Sequence, residues 1–158
     1  MIVMGIDPGF SITGFGILKK EGNRAFLLDY GFLKMSSQQS LPERVTLFHN
    51  FVSDKCLSHT VTHIAIETPF LGKNAQNFLK LGYLRGIIYL ISHQKCLQLH
   101  EFSPREVKAA LTGFGGADKE QVARVIYTLF PALKTQAKAD VTDALAVTLC
   151  GFWHRPKA

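Results

Sequence analysis

The chain has 158 residues, of which 47% are hydrophobic and 19% charged, a composition typical of a folded globular protein. This length suits one domain and is short for two, so we expect a single domain over residues 1–158. The longest apolar run, residues 86–92, is far too short to cross a bilayer, which argues against a membrane protein. With 18 Lys and Arg against 12 Asp and Glu, the net charge of +6 favours an anionic partner, nucleic acid first.

The N terminus and the cysteines predict a cytoplasmic protein. The first residues, MIVMGID, lack the basic region and the small-residue cleavage site of a signal peptide, so we interpret them as a strand. The cysteines are odd in number and far apart, with no CxxC pair: Cys56, Cys96 and Cys150. We interpret all three as reduced residues of the protein core.

Three strands are predicted at the start of the chain. The first is the apolar segment Ile2–Asp7, which Pro8-Gly9 turns. Residues 13–20 and 24–35 are two further strands, joined through a short segment that contains Gly22. Together the three segments predict an antiparallel meander.

Helices and strands alternate after residue 40. Ser40 and Glu43 have the spacing of a capping box, and apolar residues then recur on one helical face: Val45, Phe48, Val52 and Cys56. Residues 62–67 are predicted as the fourth strand, residues 75–92 as a long helix and residues 96–102 as the fifth strand.

Three more helices follow the fifth strand. Ser103, Pro104 and Glu106 mark a helix start, and the glycines of residues 113–116 end that helix. Further helices are predicted from about residue 118 to a point before Pro131 and over residues 139–153. The order βββ-α-β-α-β-α-α-α implies an α/β fold with one five-stranded mixed sheet and helices on its faces.

The predicted topology brings two acidic residues to one edge of the sheet. The first and fourth strands should be parallel neighbours where the strand order reverses, and ligands of open α/β sheets bind outside the carboxyl ends of strands at that point. Asp7 and Glu67 both lie at such ends. Asp140 and Asp143 are three residues apart on the last helix and share a face that can cover them.

Each acid also has a structural interpretation. Asp7 before Pro8-Gly9 can simply build a turn, and Asp140 can cap its helix. Glu67 is harder to explain in this way, because Glu is depleted in strands.

Four carboxylates in one place require protons or cations. Two of them about 4 Å apart repel by about 4 kcal/mol at an effective dielectric constant of 20. Ligands that offer only oxygen select hard ions such as Mg²⁺ or Mn²⁺, which support in-line attack on phosphodiesters. Without these four acids, eight of the 12 remain against 18 basic residues, so an acidic centre would lie in a basic surround.

Four segments together resemble the bacterial Holliday junction resolvases of the RuvC family. They are GIDPG at residues 5–9, IAIE at 64–67, KNAQNFLKLGYLRG at 73–86 and ADVTDALA at 139–146. The resemblance covers nearly the whole chain. It implies a ribonuclease H-like nuclease domain that cuts four-way DNA junctions in recombination and repair, with two Mg²⁺ ions per active site and Mn²⁺ as a substitute.

The resemblance also implies a role for each of eight residues. The catalytic and metal-binding tetrad falls on Asp7, Glu67, Asp140 and Asp143. Phe70 is expected to stack on bases near the crossover, and the expected phosphate contacts are Lys73, Lys108 and Lys119. The simpler interpretations are a loop aromatic folded into the core for Phe70 and ordinary exposed residues for the lysines.

The family further implies a homodimer and a branch-migration helicase partner of the RuvA and RuvB type. Gly82 and Gly86 lie four residues apart on an apolar helix, where they allow close approach either to the protein's own sheet or to a second copy of the chain.

Two rival functions remain. One is a junction-binding or RNA-binding protein of the same fold with little or no catalysis. The other is an actin-like ATPase, which GIDPG followed by Thr13-Gly14 suggests but which requires two such domains.

Overall fold

The computed structural model describes residues 1–69, 74–133 and 139–154. Over these residues the elements are β1 (Ile2–Asp7), β2 (Ile12–Glu21), β3 (Arg24–Lys34), α1 (Leu41–Ser58), β4 (His63–Glu67), α2 (Ala75–Gln94), β5 (Gln98–Phe102), α3 (Pro104–Thr112), α4 (Lys119–Leu129) and α5 (Ala139–Trp153). None of these helices combines the length and the apolarity that a membrane span requires.

The strands form a single five-stranded sheet in the order β3-β2-β1-β4-β5. The pairs β1–β2 and β2–β3 are antiparallel, whereas β1–β4 and β4–β5 are parallel. The predicted α/β class, the meander and the adjacency of the first and fourth strands are therefore confirmed.

The helices cover both faces of the sheet, each over its own hydrophobic core. On one face α1 and α2 contribute Phe48, Val52, Leu84 and Ile88 to a core with β-strand residues such as Ile64. On the other face α3, α4 and α5 form the second core, which is centred on the buried residues of α5. The start of α1 has the predicted capping box, in which Glu43 Oε2 accepts a hydrogen bond from the Ser40 backbone N–H at 2.6 Å.

Small residues let α5 lie directly on β1 and β2. A Cβ atom added to Gly5 would overlap the Thr148 hydroxyl, and one added to Gly14 would overlap the backbone carbonyl oxygen of Asp140. Because any larger residue would push the helix away from the sheet, Gly5 sets the height of α5 over β1 and Gly14 sets the height of the start of α5 over β2.

The long helix α2 is apolar on both its inner and outer sides. Its inner face buries Leu84, Ile88 and Ile91, while its outer face carries exposed residues that include Leu79, Tyr83 and Leu90. Gly82 and Gly86 are exposed, and a Cβ atom added to either would have no described atom within 4 Å. The interpretation that these glycines pack on the protein's own sheet is therefore wrong for the described residues.

One cysteine prediction is also wrong. Cys56 and Cys150 are buried as expected, but Cys96 is exposed. It lies in the turn after α2 with a φ of 53°, and β5 begins only at Gln98, so the apolar segment that we assigned to the strand starts outside the sheet. Burial raises the pKa of the Cys56 thiol to about 11.

Candidate active site

Asp7 lies at the carboxyl end of β1, where the chain turns away from the sheet. The buried Thr13 side chain holds this turn, because its Oγ1 donates a hydrogen bond to the Gly9 carbonyl at 2.9 Å and accepts one from the Gly9 N–H at 3.2 Å. The polar side chain of a buried β2 residue thus fixes the path of the backbone directly after Asp7.

Glu67 lies at the equivalent end of the neighbouring strand. The parallel register pairs Ile6 with Ile66, so Asp7 and Glu67 are the next residues on adjacent strands. Beyond Glu67, the N–H of Thr68 donates to the Phe102 carbonyl at 2.7 Å, which continues the contact with β5. The expected position of both acids at one edge of the sheet is confirmed.

The first turn of α5 carries the other two acids over this edge. Asp140 lies at the start of the helix and Asp143 one turn later. Thr142 Oγ1 donates to the Ala139 carbonyl at 2.8 Å in the same turn. The close approach at Gly14, which pairs with Asp7 in the β1–β2 register, therefore places the start of α5 near the end of β1.

Acidic and basic side chains surround one cavity of about 200 Å³. Three of the four acids line it, together with the two lysines that we expected near the substrate and an apolar remainder: Asp7, Glu67, Asp143, Lys108, Lys119, Ile6, Pro104, Val107, Val122, Ala146 and Val147. Asp140 does not line the cavity, although its charge acts on Asp7. The structure thus places three of the four acids in the wall of one cavity, and their role as a catalytic and metal-binding tetrad stays a prediction.

The electrostatics of the cavity are dominated by Asp7. Its burial, followed by the negative charges of Asp143, Glu67 and Asp140, raises the pKa of this carboxyl to about 7. Glu67 behaves alike: burial and the charge of Asp143 raise its pKa, and Lys119 and Lys108 lower it. The site therefore disfavours its own negative charge and attracts protons or cations.

Lys119 supplies part of the compensating positive charge. Its Nζ donates to Asp143 Oδ2 at 2.9 Å, and this bond together with the nearby acids raises the pKa of the lysine. The Lys119 side chain is 79% exposed, so we expect the ion pair to contribute little stability and to open readily.

The donor set suits a hard divalent cation, but the side chains are not arranged as a closed metal site. Among residues 1–69, 74–133 and 139–154, no three His, Cys, Asp or Glu side chains lie close enough together to hold one ion. Coordination of one ion by three of these carboxylates would therefore require them to move closer together, whereas one or two carboxylates with several waters would also hold Mg²⁺.

Two of the eight expected residues lie outside the described part of the chain: Phe70 and Lys73. One contact to the site was not predicted. Arg85 of α2 donates through Nη1 to the carbonyl oxygen of Glu67 at 2.6 Å. Its signal in the sequence was an arginine within an otherwise apolar helical segment, LGYLRGIIYL.

Comparison with known proteins identifies relatives over almost the whole chain. Residues 3–151 match the family model described as "Crossover junction endodeoxyribonuclease RuvC". Proteins of that name from Chlorobium phaeovibrioides and Chlorobium phaeobacteroides are 40% and 39% identical to this chain, over 95% of it and 80% of each relative.

A solved structure of similar fold is "T. thermophilus RuvC in complex with Holliday junction substrate", with a TM-score of 0.87, 29% identity, and coverage of 94% of this chain and 91% of that one. The yeast mitochondrial Holliday junction resolvase Ydc2, at 11% identity and a TM-score of 0.66, shares the fold. These matches confirm the predicted ribonuclease H-like architecture. The chain belongs to the RuvC family of crossover junction endodeoxyribonucleases.

Proposed function

We propose that this protein is an endodeoxyribonuclease that resolves four-way DNA junctions by paired symmetric nicks in recombination and repair. The observation that carries the proposal is the cavity in which Asp7, Glu67 and Asp143 face Lys108 and Lys119. Its carboxylates could hold cations, which would activate a water for attack on the scissile phosphate, and its lysines could contact the oxygens of the same phosphate. Family membership supplies the substrate class.

The proposed cofactor is a pair of Mg²⁺ ions, for which Mn²⁺ can substitute, held by Asp7, Glu67, Asp140 and Asp143. The fit rests on the donor set, four carboxylates with no nitrogen or sulfur ligand, and on the half-buried Asp7, whose pKa of about 7 is consistent with a negative charge that lacks a compensating cation. When bound, such ions supply an activated water for in-line attack and stabilise the departing 3′ oxygen. The expected products are 5′-phosphate and 3′-hydroxyl ends.

The lysines of the cavity have separate proposed roles. Lys119 neutralises Asp143 before the substrate binds, and its exposed side chain can then turn to a phosphate oxygen. Lys108 lies on α3 in the cavity wall and can neutralise the charge that develops on the phosphate. Phe70 is proposed to stack on bases at the opened crossover, with Lys73 as a nearby phosphate contact.

Paired nicking requires two active sites, and we propose that a homodimer provides them. The outer face of α2 supports this, because exposed Leu79, Tyr83 and Leu90 lie beside the open positions of Gly82 and Gly86. A two-fold axis at this face would pair the same surface on both copies. We propose in addition a cytoplasmic location and a helicase partner of the RuvA and RuvB type.

The test compares a synthetic four-way junction with a linear duplex of matched sequence, each with Mg²⁺ and with EDTA. Symmetric nicks that a ligase can seal, on the junction alone and only with Mg²⁺, are the expected result. Glu67→Gln should keep junction binding and lose cleavage. Binding by the wild type without any cleavage in Mg²⁺ or Mn²⁺ would instead favour a non-catalytic junction-binding protein.

A further inference from the structure

Arg85 is the one charged side chain that is buried in the described part of the chain, and the proposed mechanism assigns it no role. Only 6% of the residue is exposed. A buried guanidinium is costly unless hydrogen bonds and an opposite charge compensate it. The hydrogen bonds of the Arg85 side chain therefore indicate what its burial contributes to the structure.

The guanidinium joins the end of β4 to an anionic side chain on β5. Nη1 donates to the backbone carbonyl of Glu67 at 2.6 Å. Nη2 donates to Glu101 Oε1 and to the Tyr89 hydroxyl, the latter at 3.0 Å. The Tyr89 hydroxyl also donates to Glu101 Oε1, at 2.8 Å. Glu101 thus supplies the counter-charge, and Nη1 is directed at the backbone of Glu67.

That carbonyl lies where the sheet ends. The β1–β4 register stops at Ile6 and Ile66, and the chain beyond Thr68 continues into Pro69, which has no N–H to offer. The β4–β5 pairing extends one residue further, to Glu67 and Phe102. Two more bonds among the described residues hold this segment: Thr68 N–H donates to the Phe102 carbonyl, and Arg85 donates to the Glu67 carbonyl. We expect loss of the Arg85 bond to loosen the backbone where this pairing ends.

Arg85 approaches Glu67 from the face opposite the cavity. Its neighbours on α2, Leu84 and Ile88, belong to the core under α1 and α2. The carboxylate of Glu67, in contrast, lines the cavity with Val107 and Val147 of the other core. Arg85 can therefore hold the backbone while the carboxylate stays free for the cavity.

We propose that Arg85 is a positioning residue, whose bond to the Glu67 carbonyl holds the end of β4 so that the carboxylate faces the cavity beside Asp7. The expected effect of Arg85 on the cleavage rate rests on the proposed nuclease function. Its expected effect on the backbone at the end of β4 does not. A planar guanidinium directs separate nitrogens at the carbonyl and at Glu101, whereas the single ammonium of lysine cannot take both positions.

The experiment uses Arg85→Lys, which keeps the positive charge but cannot donate to the Glu67 carbonyl and to Glu101 at the same time. Single-turnover cleavage of a four-way junction in Mg²⁺, with protein in excess, should fall about 10- to 100-fold, the size of effect expected from a displacement of about 1 Å in a catalytic group. Junction affinity in EDTA should stay at the wild-type value. The matched control is Asp29→Asn, which removes the negative charge that pairs with Lys55 and His59 and should lower thermal stability without this loss of rate.

A second readout needs neither metal nor DNA. Hydrogen exchange of the Thr68 amide should become faster in Arg85→Lys and stay unchanged in Asp29→Asn. A cleavage rate of Arg85→Lys equal to that of the wild type would overturn the proposal, and so would unchanged exchange of its Thr68 amide. A cleavage rate and a junction affinity that fall in the same proportion would overturn it as well. A wild type that cleaves no junction would refute the proposed function instead, and Thr68 exchange would still decide the role of Arg85. Should Arg85→Lys fail to fold, Glu101→Gln removes the counter-charge, and unchanged exchange there also contradicts the proposal.

Discussion

Replacement of Asp7 by Asn should stabilise the metal-free protein at alkaline pH. The ordinary pKa of this carboxyl is 3.8, and burial with three neighbouring acids raises it to about 7 in the folded protein. Because the folded state binds the proton more tightly than the unfolded chain, the wild type loses stability as pH rises from about 4 to 7. Asn resembles the protonated form and avoids this loss.

The magnitude follows from the shift. About three pKa units at 1.36 kcal/mol each set an upper limit of about 4 kcal/mol above pH 7. A buried amide without full hydrogen bonding costs about 1 to 2 kcal/mol, so the expected net gain at pH 8 is about 2 to 3 kcal/mol. For a protein of this size that corresponds to an increase in Tm of about 6 to 10 °C.

The assay is urea unfolding in EDTA at several values between pH 5 and pH 8. The free energy of unfolding of Asp7→Asn should exceed that of the wild type by an amount that grows with pH. Added Mg²⁺ should reverse this difference, since only the wild type keeps all the proposed metal ligands. Asp54→Asn, at an exposed position on α1, is the control and should not reproduce the gain in stability at pH 8. An Asn variant no more stable than the wild type at pH 8 would refute the electrostatic reasoning.

Three further predictions concern the substrate, the helix height and the dimer. Lys119→Met should weaken junction binding and reduce the slope of log affinity against log salt by about one, and an unchanged slope would exclude a phosphate contact. Gly14→Ala should displace Asp140 because the new methyl group overlaps its carbonyl; cleavage should fall at least about 100-fold with junction binding retained, and full activity would show that α5 can shift freely. Leu90→Glu places a charge on the outer face of α2 and should convert a dimer into a monomer in sedimentation experiments, whereas an unchanged mass would place the interface elsewhere.

The fold was predictable because local signals and topology agree. Ser40 with Glu43 and Ser103 with Glu106 both form the capping boxes that their spacing indicated, so the starts of α1 and α3 were found accurately. The start of β5 was not, because hydrophobicity alone does not reveal that Cys96 adopts a left-handed conformation. A turn of this kind depends on how the preceding helix ends.

The site was predictable in part for a similar reason. Asp7 and Glu67 end adjacent parallel strands, and this follows from strand order alone. The bond between Lys119 and Asp143 depends on the angle between α4 and α5, which no sequence pattern specifies. The contact of Arg85 with a backbone carbonyl is likewise invisible in sequence, because the carbonyl belongs to every residue and only the fold selects one.

The central claim is that the four acids of the site bind divalent ions. Anomalous diffraction from a crystal grown in Mn²⁺ tests this claim most directly. Two anomalous peaks between the carboxylates of Asp7, Glu67, Asp140 and Asp143, with Lys119 turned away from Asp143, are the predicted result. The absence of any peak at millimolar Mn²⁺, with the Lys119 ammonium still bound to Asp143, would contradict the account.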